Sequence, residues 1–228
     1  MKSAVLYSGG KDSNHALWWS VLNGTEVVTL ISMISQSSES WMFHYPNIKY
    51  TAFQAKSLEI PLITRFTSGR KEEELIDLEL ALREAIDRYN IDSVVNGAID
   101  SNYQRSRIDR ICNELGLDSL APLWHHDPEQ LILEEISAGF EIIITACMAY
   151  GLGKEWLGRR IDRHCLDDLK SLSDKFHVHI SFEGGEGETF VLDGPLFKDK
   201  IKILESEIYW RRDSGYFLIK KTELIPKT

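Results

Sequence analysis

A chain of 228 residues with 43% hydrophobic content is long enough to bury a full core, as one large domain or two smaller ones. Its 35 acidic against 26 basic residues leave a formal net charge of −9, which disfavours nonspecific binding to a polyanion, and no Lys/Arg-rich tail, aromatic ladder, low-complexity tract or internal repeat stands out. No apolar run nears the ~20 residues of a membrane helix. The start Met1-Lys2-Ser3 does not read as a secretory signal, and Cys112, Cys147 and Cys165 are scattered without a Cys-x-x-Cys, so a cytoplasmic protein without a disulfide framework or zinc ribbon is expected.

The apolar run Ala4-Val5-Leu6-Tyr7 predicts a strand that feeds directly into Ser8-Gly9-Gly10-Lys11-Asp12-Ser13 and a helix from about 12 to 23, stopped by Gly24. Two adjacent glycines let backbone approach a phosphate, and the following helix offers unpaired N–H groups and the positive end of its dipole. Lys11 adds a charge, and Ser8 and Ser13 add hydroxyls. The spacing is not that of a Walker A loop, because the lysine is followed by aspartate and no glycine stands where that loop needs one. The bland alternative is a Gly-Gly turn with a helix cap from Asp12 or Ser13.

Downstream, Val27-Val28-Thr29-Leu30-Ile31 has the β-branched character of a buried parallel strand, followed by a Ser-rich loop at 35–40, a helix over 47–58 behind Pro46 and a short strand over 61–66. Residues 71–89 predict a long amphipathic helix with Leu75, Leu78, Leu82 and Ile86 on one face, and 92–97 a further strand. This alternation implies a doubly wound, mostly parallel α/β sheet, Rossmann-like, with the ligand at the carboxyl ends of its strands. Three loops then surround one site: 8–13, 32–45 and 97–105. In the third, Gly97 permits close backbone approach to a nucleotide, and Arg105 and Arg107 read either as a clamp for pyrophosphate or a carboxylate, or as two solvated arginines on a helix N-terminus.

A division into residues 1–121, binding nucleotide, and 122–228, a smaller α+β lobe for the substrate, is expected. The second part opens with Asp127-Pro128 as N-cap and first helical residue, and continues with a strand over 140–148, a helix over 162–175 and strands near 177–181, 188–192, 201–211 and 216–224. The last pair is expected to turn at Asp213-Ser214-Gly215. Its unusual motif is Glu183-Gly184-Gly185-Glu186-Gly187-Glu188-Thr189, running into Phe190-Val191-Leu192-Asp193-Gly194-Pro195. Three carboxylates so close either attract a cation, such as magnesium or a cationic ligand, or form an exposed acidic hairpin. His125 and His126, and His177 and His179 on one face of a strand, lack a third metal ligand and read as structural, while the three cysteines read as small buried residues.

Strand, Ser-Gly-Gly-Lys-Asp-Ser and helix together resemble the PP-loop of the N-type ATP pyrophosphatases, which open ATP at the α-phosphate to give AMP and pyrophosphate. With Met42-Phe43-His44, Gly97-Ala98-Ile99-x-Ser101-x-Tyr103-Gln104-Arg105, Pro122-Leu123-Trp124 and the late acidic motif, the chain from residue 4 to about 200 is similar to the diphthine–ammonia ligase family. That resemblance implies ATP and Mg²⁺, with Ser8, Gly9, Gly10, Lys11, Asp12, Ser13, His44, Gly97, Ser101, Tyr103 and Gln104 around the nucleotide. It implies Lys11, Asp12, Arg105 and Glu186 as catalytic, Glu183, Glu186, Glu188, Thr189 and Asp193 as substrate-binding, and Asp12, Glu183 and Glu186 as metal ligands.

The reaction implied is amidation of diphthine, a modified histidine on translation elongation factor 2, by ammonia after adenylation of its carboxylate, with nucleotide on the first lobe and the acceptor protein docked across a cleft. Position 2 is Lys2 and no spare glutaminase domain is expected, so the nitrogen comes from free ammonium or a partner. No direct contact with nucleic acid is expected, and oligomerisation is left open. A tRNA-thiolating PP-loop enzyme and an ATP/AMP-binding module without turnover are the competing readings. One departure from the family pattern is Phe182, which stands where members generally carry glycine before the first acidic residue.

Overall fold

The computed structural model describes residues 1–35, 47–68, 70 and 73–227, which fall into two compact units, Met1–Trp124 and His125–Thr228. In the first, strands and helices alternate: β1 (Lys2–Leu6), α1 (Lys11–Leu22), β2 (Glu26–Ser35), a 3₁₀ turn at Ile48–Tyr50 leading into α2 (Thr51–Leu58), β3 (Leu62–Thr67), α3 (Glu73–Tyr89), β4 (Ser93–Val95), α4 (Asn102–Leu115) and β5 (Asp118–Leu120). The strands are all parallel in the order β3-β2-β1-β4-β5, as the alternation of the sequence implies.

Burial explains why these segments became strands. Ser3, Ala4 and Val5 of β1 and Ser93, Val94 and Val95 of β4 are wholly buried, and the two serines satisfy each other through a 2.5 Å hydroxyl pair. One face of the sheet is covered by Leu75, Leu78, Ala81, Leu82 and Ala85 of α3 with Ile108, Ile111 and Cys112 of α4, packed on Ala4, Ile31, Ile63 and Val94. The outer face of α3 carries the Glu79–Arg83 and Glu84–Arg88 pairs, worth roughly 0.3–0.5 kcal/mol each. Beyond the expected strands there is β5, three residues long with Leu120 its one large apolar residue; its pairing with β4 leaves no periodic trace. From β1 the chain builds β2 and β3 to one side, then returns to place β4 and β5 on the other. The carboxyl ends of β1 and β4 therefore meet where the strand order reverses, the position at which open α/β sheets bind ligands.

The second unit contains α5 (Pro128–Ser137), β6 (Glu141–Cys147), a 3₁₀ turn at Lys154–Trp156, α6 (Arg163–Phe176), β7 (Gly187–Asp193), β8 (Asp199–Arg211) and β9 (Ser214–Pro226). Its sheet is antiparallel, in the order β7-β6-β9-β8. Asp127 caps α5 by accepting the Gln130 N–H at 2.8 Å, with Pro128 at the first helical position, and Asp162 caps α6 in the same way through Cys165.

Two local expectations are corrected. Residues 177–181 form no strand: His177 ends α6 in the left-handed region at φ 57°, Phe182 lies there too at φ 63°, and the His179 N–H that a ladder would use is taken by a side chain. The β8–β9 hairpin turns at Arg212-Asp213, since Arg211 pairs with Ser214, and Arg212 takes the positive φ. Gly215 lies inside β9, where a Cβ would crowd the Tyr209 carbonyl at 2.5 Å.

Candidate active site

Ser8, Gly9 and Gly10 join β1 to α1 at the order reversal. Gly9 has φ 81°, and a Cβ there would collide with Gln54 Oε1 and lie 3.0 Å from Thr51 Cγ2, so the position excludes any side chain. Gly10 is the N-cap residue in extended backbone, with no side-chain cap. The capping alternative thus fails for both residues: Ser13 Oγ donates back to the Gly10 carbonyl at 3.1 Å, and the Asp12 carboxylate pairs with the Lys11 ammonium. Ser8 Oγ reaches Ser13 Oγ at 3.2 Å, and the Gly10 N–H reaches Ser8 Oγ at 3.3 Å, closing the loop on itself. Lys11 is only 2% exposed, a placement that a lysine sustains through a partner such as Asp12 and that strengthens its field on an anion brought to the loop.

Around this loop stands a ring of buried polar side chains that sequence reading missed. Ser32 Oγ donates to the Tyr7 carbonyl at 2.6 Å, Gln54 Nε2 to the Gly9 carbonyl at 2.9 Å and Asn14 Nδ2 to the Gly10 carbonyl at 2.9 Å, while Tyr7 Oη donates to Asn14 Oδ1 at 2.7 Å. Burial holds the Tyr7 phenol far above its usual pKa, against the opposing effect of its bond to Asn14, so it stays a donor. Nothing in the spacing of Ser32 and Gln54 connects them with residues 8–13. Their polar character inside an otherwise apolar strand and a short helix was the available signal.

After β4 the loop runs Asn96-Gly97-Ala98. A Cβ on Gly97 would lie 2.8 Å from the carbonyl carbon and oxygen of Asp12 and 2.9 Å from the Ser13 nitrogen. The glycine is thus required by the first turn of α1, a packing reason distinct from the expected approach to a nucleotide. Ser101 accepts the Gln104 N–H at 3.4 Å as N-cap of α4, with Tyr103 in the first turn. Arg105 lies 4.3 Å from the ring centre of Trp124 with its Nε 3.5 Å from Asp109, and Arg107 lies 3.5 Å from that of Tyr103 and donates to the Tyr103 carbonyl at 3.3 Å. The helix N-terminus forms, and its arginines are part-buried over aromatic rings, with Arg105 still partly exposed to solvent. His44, with Met42 and Phe43, lies outside the described residues.

In the second unit, residues 183–186 form a turn leading into β7. Glu186 folds back: its Oε1 accepts the His179 N–H at 3.0 Å, its backbone carbonyl accepts the Met148 N–H at 2.7 Å, and Gly184 leaves room against the carboxylate. Its Oε2 is buried with no hydrogen-bond partner among the described residues. Glu183, Glu188 and Thr189 are half-buried along the same turn and strand. Asp193 differs from the rest, for it sits at the far end of β7, roughly 17 Å from Glu188 by strand rise. There its carboxylate takes Lys227 at 2.6 Å, Lys200 at 3.3 Å and the Gly194 N–H at 2.8 Å, a set of bonds that gives it a structural place and removes it from the acidic turn.

Among the described residues no group of three or more His, Cys, Asp or Glu side chains gathers as a metal centre. The expected ligands Asp12, Glu183 and Glu186 thus supply no preformed cage, and Asp12 presents one carboxylate beside Lys11. Magnesium is usually held by one or two carboxylates plus substrate phosphates, a demand that Asp12 can meet for a nucleotide-borne ion. His125 closes the turn over residues 122–125 with His126 just after it, and His179 shares its Nδ1 with Ser181 at 3.2 Å. All three thiols are buried, and desolvation raises Cys112 and Cys165 to about 11 and Cys147 to about 12.

A family model described as the diphthamide synthase N-terminal domain matches residues 1–119, and one described as the diphthamide synthase C-terminal domain matches residues 127–225. Relatives named diphthine–ammonia ligase include those of Bos taurus, 34% identical over 91% of this chain and 85% of that protein, and Rattus norvegicus, 33% identical over 99% and 96%. The one from Schizosaccharomyces pombe is 33% identical over 91% of this chain but 37% of its own length. A solved structure of a predicted tRNA methyltransferase subunit from Methanocaldococcus jannaschii is similar with a TM-score of 0.47 and 17% identity, over 85% of this chain and 97% of that one, a likeness too weak to bear on chemistry. With both halves matched by its models and a third of the residues shared with its curated members over nine-tenths of the length, the chain belongs to the diphthamide synthase family.

Proposed function

We propose that the chain is an ATP-dependent ligase that converts the carboxylate of diphthine on translation elongation factor 2 to an amide with ammonia, releasing AMP and pyrophosphate. The observation that carries this reading is the Ser8–Ser13 loop at the order reversal of the sheet, with Lys11 buried beside Asp12, in a chain of this family. A carboxylate does not react with ammonia unaided. Its oxygen attacks the α-phosphorus of ATP, the bond to the bridging oxygen breaks and pyrophosphate leaves; ammonia then attacks the acyl carbon, AMP leaves and a proton passes to solvent.

The protein's share is alignment and charge stabilisation. The first-turn amides of α1, with the hydroxyls of Ser8 and Ser13, hold the pyrophosphate end. Lys11 offsets the charge that grows on the leaving oxygens, and Asp12 would hold a magnesium ion carried by the nucleotide, which would neutralise phosphate charge there. Arg105, 36% exposed beside Trp124, is the cation this reading assigns to the anion in the transition state. Glu183, Glu186 and Glu188 serve the acceptor side, for ammonium or the trimethylammonium of diphthine.

The test incubates the chain with ATP, magnesium and ammonium, with and without elongation factor 2 carrying diphthine. AMP and pyrophosphate release that requires the factor, together with conversion of its acid to amide by mass spectrometry, is the expected result. ATP binding without turnover on that acceptor would reduce the chain to a nucleotide-binding module. Thiolation of tRNA is the weaker reading, because no cysteine here is exposed or acidic enough to act as the thiolate nucleophile.

A further inference from the structure

We infer that Gln54, on α2, is a positioning residue for the nucleotide: with Asn14 and Ser32 it pins the carbonyls of the β1–α1 loop inward, so that the loop's amides are already turned toward the phosphates. This rests on the reading that ATP binds at residues 8–13. The carbonyls of Tyr7, Gly9 and Gly10 are each held by a side chain from a different element, Ser32 of β2, Gln54 of α2 and Asn14 of α1, at 2.6, 2.9 and 2.9 Å. Among the described residues no peptide bond is cis, and in a planar trans unit the C=O of one residue and the N–H of the next point in opposite directions. Fixing the Gly9 carbonyl on Gln54 therefore directs the Gly10 N–H away from α2, on the side of Ser8 Oγ at 3.3 Å, and the Gly10 carbonyl, bonded within α1, leaves the Lys11 N–H pointing out of that helix's N-terminus.

The side chains that do this are themselves fixed. Gln54 is fully buried, and the absence of a Cβ on Gly9 is what gives its amide room. The phenol of Tyr7 donates to Asn14 Oδ1, which forces the Asn14 NH₂ toward Gly10 and forbids the flipped amide. Each clamp is a donor that reaches a carbonyl, so an apolar residue of similar volume removes the function while filling the space. Without Gln54 the Gly9–Gly10 peptide keeps only the 3.3 Å bond from the Gly10 N–H to Ser8 Oγ, and the loop is ordered partly at the expense of binding energy.

The experiment uses the full chain with Gln54→Met and, as a change that deletes a single oxygen, Ser32→Ala. Titration calorimetry with inorganic pyrophosphate and with ATP is set beside the melting temperature, the KM for ATP and the KM for ammonium. The expected result for Gln54→Met is a rise of about tenfold in the Kd for pyrophosphate and the KM for ATP, the size of one lost charge-directing hydrogen bond, with the ammonium KM unchanged. Ser32→Ala moves the same two constants in the same direction by about threefold. A lowered melting temperature with unaltered constants for pyrophosphate and ATP in either variant would overturn the clamp and leave Gln54 a packing residue. If the unsubstituted chain binds neither pyrophosphate nor ATP, the nucleotide reading itself fails and the clamp falls with it.

Discussion

Phe182 carries a cost and a gain on the same residue. Its φ of 63° places a bulky side chain in the left-handed region, at roughly 1–2 kcal/mol, where glycine would be unstrained. Its ring, however, is 6% exposed and lies against Gly187, whose own Cβ would meet the Ala146 carbonyl at 2.7 Å. Emptying a buried phenylalanine site costs about 3–5 kcal/mol, so packing outweighs the strain. Phe182→Gly is expected to destabilise the chain by about 2 kcal/mol on balance, read as a lower urea midpoint. A midpoint that stays or rises would show that the ring contributes little and that the turn favours the glycine of the family pattern.

At the level of elements, the seam between the β4 loop and α1 is a close backbone-to-backbone approach in the first unit. Gly97 touches the backbone of Asp12 and Ser13, which cannot swing away as a side chain would. Gly97→Ala is expected to push the first turn of α1 off its position, raising the KM for ATP by at least about tenfold, because small misplacements of aligned groups are expensive, and lowering stability by about 1–3 kcal/mol. Unchanged ATP kinetics would show that the seam is looser than its distances imply. In the antiparallel sheet, Glu141 of β6 is held by Lys200 at 2.6 Å and Arg160 at 3.2 Å, and its pKa is lowered, first through the hydrogen bond from Lys200. A carboxyl whose folded pKa is depressed stabilises above its unfolded value, 4.5, and that stability is lost as pH falls through the folded value. Glu141→Gln is therefore expected to be less stable than the unsubstituted chain at neutral pH and to converge with it in acid below about pH 4.5. Parallel acid curves would place the pair outside the folding equilibrium.

For the molecule as a whole, what could be read from the sequence was whatever is contiguous: the β1–α1 loop in a single run, the periodic face of α3, and Asp127-Pro128 opening α5. What escaped depends on residues brought together by the fold, such as Gln54 against Gly9, Trp124 beneath Arg105 and the lysines on Asp193, or on strands like β5 too short to show a period. The cysteines belong to this same scale, since Cys112 lies in one unit and Cys147 and Cys165 in the other, all with no exposed surface. Burial lifts their thiols from 9.0 to about 11, 12 and 11 respectively. A thiol whose folded pKa is raised stabilises fully below its unfolded value and loses that contribution as pH climbs through the folded one, because the unfolded chain releases protons first. The fold is thus expected to weaken between pH 9 and about 11 or 12, and a triple Cys→Ala variant to show a shallower decline over the same window. At pH 8 iodoacetamide should leave all three thiols of the native chain unmodified and label each in urea, while the triple variant keeps its pyrophosphate release. Labelling of one cysteine in the native chain, with loss of turnover, would instead identify a reactive thiol and return the chemistry to sulfur transfer.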